Sequence, residues 1–547
     1  MKPMDGSRIS PAVLDWSVCL LAALCYLLMA AHNLRLPGPN TDEVFVAAPA
    51  VNFHENRYDA VPMQLEPSVI SVGGRKLPLM LMTYIGSLET ILYIPFFLLF
   101  GDGIETVRMV PILYGMGAMI VSFLFFRSLF GRWAALLGIV LLAFDPGFVF
   151  YTGRNFGPPA LAILLKMAGF LFILRWWRGG RRRDLALAGL LWGLALYNKA
   201  DFLWVPVAAG IPALMLRGGE LKRRLDPGTV LPAAGMFCLG ALPFLVMNLL
   251  TGGATFASFF QTPPVPVEKV DYLTGVGIRW SQMLDLLNGT QPFRLFMHAE
   301  QDLPLWRRVL PPLLILGPAL ALPLLAGGKA RSASRRPMLW LAGFLLAAFL
   351  LSAKSPLNLN PHHLMVLYPL LHGAAAWGLV SLARAIGRGA STAGLPAAGA
   401  AVLLAAVLGG GQIMATHRAL ERTGGARHWS DAVYGLARFL EERASPVVLM
   451  EWGFTHNLIV LTRGSVPLER VYREFWEKPV APSTVLPHIR REALYLFHTP
   501  AEPDFARAFE AFRGAAESRH LRPRLLREFA ERRGRPIYRV YSLDPSG

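Results

Sequence analysis

The stretch LDWSVCLLAALCYLLMAAHNLRL, residues 14–36, decides the fold class of this chain. It is long enough to cross a bilayer as a helix, because about 20 apolar residues span a hydrocarbon core of roughly 30 Å. The polar sequence PGPNTDEV, residues 37–44, follows it directly. The beginning of the chain therefore predicts a membrane-spanning helix followed by a polar loop at the membrane surface.

Composition extends this prediction to most of the chain. Of the 547 residues, 54% are hydrophobic and only 16% are charged, which is unlike a soluble domain of this length. Apolar runs of about 20 residues recur as far as residue 416. The cysteines Cys19, Cys25 and Cys238 lie in apolar segments and show neither a disulfide nor a metal-binding spacing. The sequence predicts a polytopic α-helical membrane protein.

The net charge of +18 does not indicate nucleic-acid binding, because the basic residues concentrate in short linkers between apolar runs. Linkers at 175–183, 217–224 and 329–336 carry the densest clusters, and such clusters mark the cytoplasmic side. This rule predicts about eleven transmembrane helices, a cytoplasmic N-terminus and an extracytoplasmic region after residue 417. An apolar run at 77–100 would reverse the sidedness if it crossed, so we expect an outer juxtamembrane helix there.

Two domains are predicted. Residues 1–416 form the transmembrane domain, and residues 417–547 form an extracytoplasmic accessory domain in which helix patterns alternate with strand patterns. Glu451 and His498 end predicted strands of this α/β domain, where sites often form. The segment nevertheless contains no phosphate-binding glycine loop, nucleophile elbow or zinc motif, so we expect it to serve acceptor capture rather than catalysis. The arginine-rich, lysine-poor composition is typical of a GC-rich bacterial genome, which predicts the bacterial inner membrane.

The predicted topology gathers polar groups on the outer face. Adjacent carboxylates are costly to desolvate at a membrane surface, so Asp42 and Glu43 suggest a general base for a hydroxyl group, with a solvated loop as the alternative. Lysine and arginine residues are normally concentrated on the cytoplasmic side. Cations on the outer face are therefore unexpected and indicate binding of an anion such as a lipid phosphate. The alternative is that each one snorkels to the interface. These cations are Lys76, Arg154, Lys199 and Lys354.

Short motifs follow one another along the predicted outer loops: Thr41-Asp42-Glu43, Arg75-Lys76-Leu77-Pro78, Leu99-Phe100-Gly101, Arg108, Gly153-Arg154-Asn155, Tyr197-Asn198-Lys199 and Ala353-Lys354. Their order and sidedness over residues 10–385 resemble those of the GT-C superfamily of polyprenyl-phosphate-sugar-dependent glycosyltransferases. The likeness is to the branch that contains protein O-mannosyltransferases and the lipid A aminoarabinose transferase.

The resemblance implies an inverting transfer of a sugar from a polyprenyl-phosphate donor to a hydroxyl group of a lipid, glycan or protein acceptor at the cell envelope. It makes Asp42, beside Glu43, the base, and Lys76 with Arg75 the group that holds the donor phosphate. Further phosphate-binding candidates are Arg154, Lys199 and Lys354, and substrate-binding candidates are Asn155, His362 and His363. Asn155 stands where many members carry an aspartate, so no metal role is transferred, and the sequence indicates no required cofactor.

Two other functions fit parts of the pattern. A transporter or flippase of lipid-linked sugars would need charged residues at mid-membrane and broken helices in paired halves, and Lys166 is the main residue of that kind. An O-antigen polymerase or ligase would have a large outer loop but not the Asp-Glu pair. All three hypotheses predict membrane lipids as partners, and none predicts a nucleic acid.

Overall fold

The chain is described by a computed structural model over residues 10–57, 68–260, 270–327, 332–353, 359–386 and 395–546. Its first half contains α1 (Pro11–Ala30), α2 (Ala48–His54), β1 (Val69–Val72), β2 (Arg75–Pro78), β3 (Met80–Met82), β4 (Ile85–Gly86), α3 (Leu88–Phe100), α4 (Ile104–Phe130), α5 (Arg132–Ala143), α6 (Pro146–Gly153), α7 (Ala160–Gly179), α8 (Arg182–Asn198), α9 (Trp204–Arg224), α10 (Pro227–Gly240), α11 (Leu242–Leu250) and α12 (Ala254–Phe260).

The second half completes the helical bundle and adds a mixed sheet. It contains α13 (Tyr272–Asn288), α14 (Thr290–Met297), α15 (Leu305–Leu320), α16 (Leu322–Gly327), α17 (Ser332–Ser352), α18 (Leu370–Ile386), α19 (Leu395–Thr423), α20 (Ala432–Arg443), β5 (Val447–Leu449), α21 (Thr455–Leu461), β6 (Leu468–Arg470), α22 (Pro482–Val485), β7 (Leu494–His498), α23 (Ala508–Glu517), β8 (Leu521–Ala530) and β9 (Pro536–Pro545).

Seven helical segments among the described residues are long and apolar enough to cross a membrane: Pro11–Ala30, Ile104–Phe130, Ala160–Gly179, Ala200–Arg224, Leu305–Leu324, Arg335–Ser352 and Leu395–Thr423. Three bent pairs raise the number to ten if each pair forms one span. They are α5 with α6, α10 with α11, and the 3-10 helix Pro361–Leu367 with α18, bent by 62°, 72° and 52°. These segments confirm an integral membrane protein of the predicted helical class.

The prediction of about eleven crossings exceeds this number by one. The additional predicted crossing corresponds to α8, a helix of 17 residues that begins with Arg182, Arg183 and Asp184. At 1.5 Å per residue, α8 is about 26 Å long, slightly less than the hydrocarbon thickness. With this length and a charged first turn, the crossing of the membrane by α8 stays a prediction.

The predicted juxtamembrane helix begins later than expected. Residues 77–87 were assigned to it, but Arg75 and Lys76 open strand β2, which pairs antiparallel with β1, and the helix α3 begins at Leu88. Gly73 and Gly74 adopt φ angles of 57° and 79°, which a tight hairpin turn requires. With 13 residues, α3 is about 20 Å long and therefore too short for an ordinary crossing.

Contacts between linkers place the basic segments on one face of the bundle. Arg132, at the start of α5, pairs with Asp15 of α1 at 2.5 Å between Nε and Oδ1. Arg178, in the basic segment 175–183, donates to the carbonyl of Ser128 near the end of α4. The relative sidedness of these linkers agrees with the predicted topology. Which face is cytoplasmic stays a prediction.

The C-terminal region forms a five-stranded sheet in the order β6-β5-β7-β9-β8. β5 is parallel to β6 and β7, whereas β9 is antiparallel to β7 and β8. The predicted strands and helices of this region are present, and β6 and α21 are additional elements. The structure thus contains the α/β domain that the sequence predicts.

This domain shares an apolar core with the first outer segment of the membrane domain. Buried residues of the sheet cluster with Val44 and Val51 near α2 and with Tyr93 and Phe97 of α3. The predicted boundary at residue 416 also falls inside α19, which continues to Thr423. The C-terminal domain is therefore packed against α2, α3 and the loop after α1.

A buried ion pair fixes the first outer loop to the bundle. Arg108, in the first turns of α4, is 1% exposed and binds both carboxylate oxygens of Glu43, from Nε at 2.6 Å and from Nη2 at 2.7 Å. Its Nη1 donates to the carbonyls of Leu34 and Pro37 at 2.7 and 2.8 Å. Glu43, predicted as part of the catalytic pair, is therefore engaged in holding the loop in place.

We expect Glu43→Gln to destabilise the protein strongly. The substitution leaves the Arg108 guanidinium buried without a counter-charge, which typically costs about 3–5 kcal/mol. Glu105→Gln is the matched control, because its partner Arg35 is largely exposed and such pairs contribute about 0–1 kcal/mol. Thermal unfolding of the two variants in detergent measures the difference. Equal losses of stability in both would contradict this role for Glu43.

Candidate active site

Asp42 lies in the loop between α1 and α2, one residue before the anchored Glu43. The side-chain Oδ1 of Asn40 accepts a hydrogen bond from the Asp42 backbone N–H at 2.8 Å, which is a local turn typical of asparagine. Thr41 Oγ1 lies 3.0 Å from Nδ1 of His456, in the C-terminal domain. Because both neighbours of Asp42 are held in this way, its carboxylate has a defined position.

A second segment brings a lysine and a carboxylate to the same place. The chain leaves α8 at Lys199, which forms an isolated bridge to Ile85. The Lys199 Nζ is 3.1 Å from Oδ2 of Asp201 and donates to the carbonyl of Gly157, also at 3.1 Å. The ammonium group is therefore fixed between two chain segments and is almost completely buried.

A third segment contributes two histidines from the 3-10 helix Pro361–Leu367. The His363 Nδ1 is 3.3 Å from Oδ2 of Asp201, and the rings of His362 and His363 lie 4.3 Å apart. Lys166 of α7 holds the end of this segment, since its Nζ donates to the carbonyl of Val366 at 2.7 Å. Lys166, noted in the sequence as a mid-membrane cation, thus positions the histidines.

These segments enclose a cavity of about 120 Å³. It is lined by Asp42, Phe45, Met82, Tyr84, Ile85, Phe156, Gly157, Pro158, Lys199, Asn360, His362 and His363. A smaller cavity of about 50 Å³ adjoins it and shares Lys199, His362 and His363. Four predicted site residues, separated by up to 321 positions, therefore meet in one cavity: Asp42, Lys199, His362 and His363.

The surroundings of Asp42 favour a carboxylate that can take up a proton near neutral pH. Burial raises the pKa of Asp42 to about 6, and the positive charges of His428 and Lys199 oppose this increase. Tyr84 lines the same cavity, and burial together with the Asp42 charge raises its pKa to about 12. A base with a pKa slightly below neutrality is well matched to general-base catalysis.

Glu43, Arg75 and Lys76 do not line this cavity. Glu43 is bound to Arg108, as described above. The Arg75 Nη1 donates to the last two carbonyl oxygens of α2, at 3.1 and 2.5 Å, so it caps that helix. Lys76 lies exposed on β2, beside the hairpin turn. The lysine that reaches the cavity is therefore Lys199, not the one that the family motif favoured.

Arg154 and Asn155 support the site from outside the cavity. Arg154 is 1% exposed and donates from Nη2 to the carbonyl of Leu36 at 2.7 Å, which ties it to the loop that carries Asp42. Asn155 donates from Nδ2 to Glu89 of α3 at 3.1 Å. Their predicted phosphate-binding and substrate-binding roles have no geometric support here. Lys354 lies outside the described residues.

Three polar residues around the site were not among the predicted site residues: Asp201, which lines the smaller cavity, and Tyr84 and Asn360, which line the larger one. Asp201 bridges Lys199 and His363, and its spacing two residues after Lys199 at a helix end was the available signal. Tyr84 and Asn360 carried no signal, because an isolated tyrosine or asparagine in a loop is common. The contribution of the C-terminal domain was also missed, since it brings His428 and His456 close to the Asp42 loop.

A larger cavity, of about 820 Å³, lies elsewhere among the described residues. It is formed by α14, the end of α19 and the C-terminal sheet, and its lining includes Arg418, Arg422 and Arg533. None of the predicted site residues lines it. The chemistry suggested by the sequence is therefore concentrated in the smaller cavity around Asp42.

Comparison with solved structures identifies the architecture. ArnT from Cupriavidus metallidurans in the apo state matches with a TM-score of 0.61 and 14% identity, over 97% of this chain and 98% of that chain. Its structure bound to undecaprenyl phosphate matches with a TM-score of 0.57 and 15% identity, over 97% of both chains. The apo oligosaccharyltransferase from Archaeoglobus fulgidus matches with a TM-score of 0.52 and 14% identity, over 88% of this chain and 69% of that chain.

A sequence model of the dolichyl-phosphate-mannose-protein mannosyltransferase family matches residues 92–246. This part contains Lys199 and Asp201 but neither Asp42 nor the two histidines. No curated protein matches the sequence. Because the likeness to ArnT extends over nearly the whole of both chains, this chain has the fold of that protein, and the family model agrees over its own part of the sequence with the resemblance that the motifs carry.

Proposed function

We propose that this protein is an inverting glycosyltransferase that moves a sugar from a polyprenyl-phosphate donor to a hydroxyl acceptor at the outer face of the membrane. The observation that carries the proposal is the convergence of Asp42, Lys199 and the two histidines in one cavity. The structure of ArnT with undecaprenyl phosphate supports a lipid-phosphate donor, since that protein has the same fold. The acceptor belongs to a lipid, glycan or protein of the cell envelope.

The proposed reaction is a single displacement at the anomeric carbon. Asp42 removes the proton from the acceptor hydroxyl as its oxygen forms a bond to that carbon. The bond from the carbon to the phosphate oxygen breaks on the opposite side, and its electron pair leaves with the phosphate. A cation beside that oxygen stabilises the growing negative charge and is therefore most effective in the transition state.

Lys199 is the best-placed cation for the leaving phosphate. Its ammonium group lines the same cavity as Asp42 and is buried, where electrostatic interactions are stronger than at the surface. His362 and His363 offer further hydrogen bonds to phosphate or sugar oxygens. At about 120 Å³ the cavity is smaller than the roughly 300–1,000 Å³ of typical ligand pockets. We infer that it holds the reacting groups only, with the lipid tail outside.

Asp42→Asn should remove most of the transfer activity while leaving the fold intact. The amide keeps the shape of the side chain but cannot accept the proton, and loss of a general base costs on the order of a hundredfold or more. Transfer of labelled sugar in proteoliposomes measures the effect, with Glu105→Gln as the control carboxylate. Turnover by Asp42→Asn close to that of the parent protein would contradict the assignment of Asp42 as the general base. Movement of the donor across the membrane without product would favour a flippase.

Replacing the two candidate lysines separately shows which one binds the donor phosphate. We expect Lys199→Ala to lower both donor affinity and the rate of transfer, and Lys199→Arg to recover only part of the loss, because a guanidinium has a different shape. Lys76→Ala should have a smaller effect on both quantities. Donor binding and single-turnover transfer are measured for each. The opposite ranking would restore Lys76 to the role that the sequence gave it.

The rate of transfer should fall as the pH decreases through about 6. The base must be ionised to act, and burial raises the pKa of Asp42 to about 6, so protonation inactivates the enzyme below that value. Lys199 lowers this pKa, and the residual activity of Lys199→Ala should therefore be lost at a higher pH. A profile of kcat/KM against pH tests both statements. A parental rate that stays constant well below pH 6 would contradict them.

A further inference from the structure

A second cluster of ionisable side chains lies in the C-terminal domain, outside the Asp42 cavity. The His428 Nε2 is 3.3 Å from Oδ1 of Asp504, and the His498 Nδ1 is 3.3 Å from Oδ2 of the same carboxylate. One ligand atom from each of the three residues lies within 4.8 Å of the others. The two imidazoles thus face the Asp504 carboxylate, and the His498 Nδ1 also lies 3.2 Å from Oε2 of Glu451.

The fold of the domain brings these residues together from two distant segments. β5 and β7 are parallel neighbours, so their carboxyl ends meet at one edge of the sheet. His498 ends β7, and Asp504 follows in the loop after it. His428 belongs to the 3-10 helix Arg427–Trp429, which connects α19 to the domain. The cluster therefore joins the sheet edge to the chain that enters the domain.

Glu451, just after β5, holds the cluster in place. Its carboxylate is 2% exposed and accepts hydrogen bonds from the backbone N–H groups of His498 at 2.5 Å and Asp504 at 3.1 Å. Gly453 adopts a φ of +100°, and a Cβ there would lie 2.8 Å from the His428 Nδ1. A buried carboxylate thus fixes the backbone of two of the three residues, and the His428 ring fits because residue 453 is a glycine.

Three ring nitrogens of the two histidines make no hydrogen bond of proper geometry, although the His498 Nδ1 has carboxylate oxygens at 3.2 and 3.3 Å. Both ring nitrogens of His498 and the Nδ1 of His428 are buried without a hydrogen-bond partner among the described residues. Buried polar atoms are normally paired, so unpaired ones require an explanation such as a bound ion. Apolar rings close the surroundings, since Phe454 stacks on His498 at 4.4 Å and Trp452 lies 5.4 Å from His428.

We propose that His428, His498 and Asp504 bind a divalent transition-metal ion such as Zn²⁺. Two imidazole nitrogens and a carboxylate oxygen are a common ligand set for Zn²⁺, which a fourth ligand completes. Ligand atoms of tetrahedral Zn²⁺ lie roughly 3.4 Å apart. The observed spacing therefore needs only a small adjustment of the side chains. Glu451 fixes the backbone of two of the ligand residues, and its Oε2, 3.2 Å from the His498 Nδ1, is placed to support that ring as carboxylates often support histidine ligands.

The second candidate cluster in the described residues is less suited to a cation. His54, Glu55 and Asp102 also place one ligand atom each within 4.8 Å. There, however, the Arg463 guanidinium lies 3.2 Å from the Asp102 carboxylate and supplies its positive charge. His54 is consequently a matched control, because it is a histidine beside carboxylates that we do not expect to bind the ion.

The test uses the full-length protein purified in detergent, stripped with EDTA and then titrated with Zn²⁺. We expect one Zn²⁺ per chain after desalting, measured by mass spectrometry of the elements, and a higher Tm for the loaded protein. Co²⁺ should give visible absorption bands of a four-coordinate site. Asp504→Asn and His428→Gln should each weaken Zn²⁺ binding about tenfold or more. His54→Gln should bind like the parent protein.

Two results would overturn the proposal. The first is absence of stoichiometric Zn²⁺ binding by the parent protein, which would make the cluster a network of histidines and carboxylates only. The second is parental affinity in both Asp504→Asn and His428→Gln, or a loss of binding in His54→Gln, which would place the ion elsewhere. The Tm of each stripped variant shows whether it is folded, and the parent titration decides the question even if a variant is not.

Discussion

The position of the candidate base depends on one buried ion pair, between Glu43 and Arg108. Removing both charges from water costs free energy, which close contact and further hydrogen bonds must offset. Here a two-point carboxylate contact and two loop carbonyls satisfy the guanidinium. α4 is thereby joined to the loop that begins after α1. Asp42, adjacent to the pair, is directed toward Lys199 because the loop has no freedom to turn.

The fold could be predicted because each helix and strand has a local pattern of apolar residues in its own sequence. Apolar runs gave the membrane helices, and the alternation of helix and strand patterns gave the C-terminal domain. The end of β2 and the strands β3 and β4 were mistaken for the start of a helix, because the apolar run after Lys76 was given more weight than the turn signal of Gly73 and Gly74. The shared core between α2 and the sheet was missed because packing between distant segments leaves no local pattern.

The site was predicted in part, for a related reason. Asp42, Lys199, His362 and His363 stand out as polar groups at helix ends, and the structure brings them together. Arg154 and Glu43 looked the same in the sequence, yet they bind carbonyls and a guanidinium inside the protein. A charged residue beside a membrane helix can serve either purpose. The groups that such a residue contacts decide whether it lines the site or stabilises the fold, and those groups come from distant parts of the chain.

The contact between the two ends of the chain has a consequence for how the protein is made. Asn457 of α21 donates to the carbonyl of Pro39 at 3.2 Å, across 418 residues of sequence. The loop that carries Asp42 therefore leaves the ribosome long before the domain that completes its packing. Both must also reach the same side of the membrane. During biosynthesis the apolar residues of the loop remain uncovered, and the cavity around Asp42 is completed only when the last domain has reached the same side and folded.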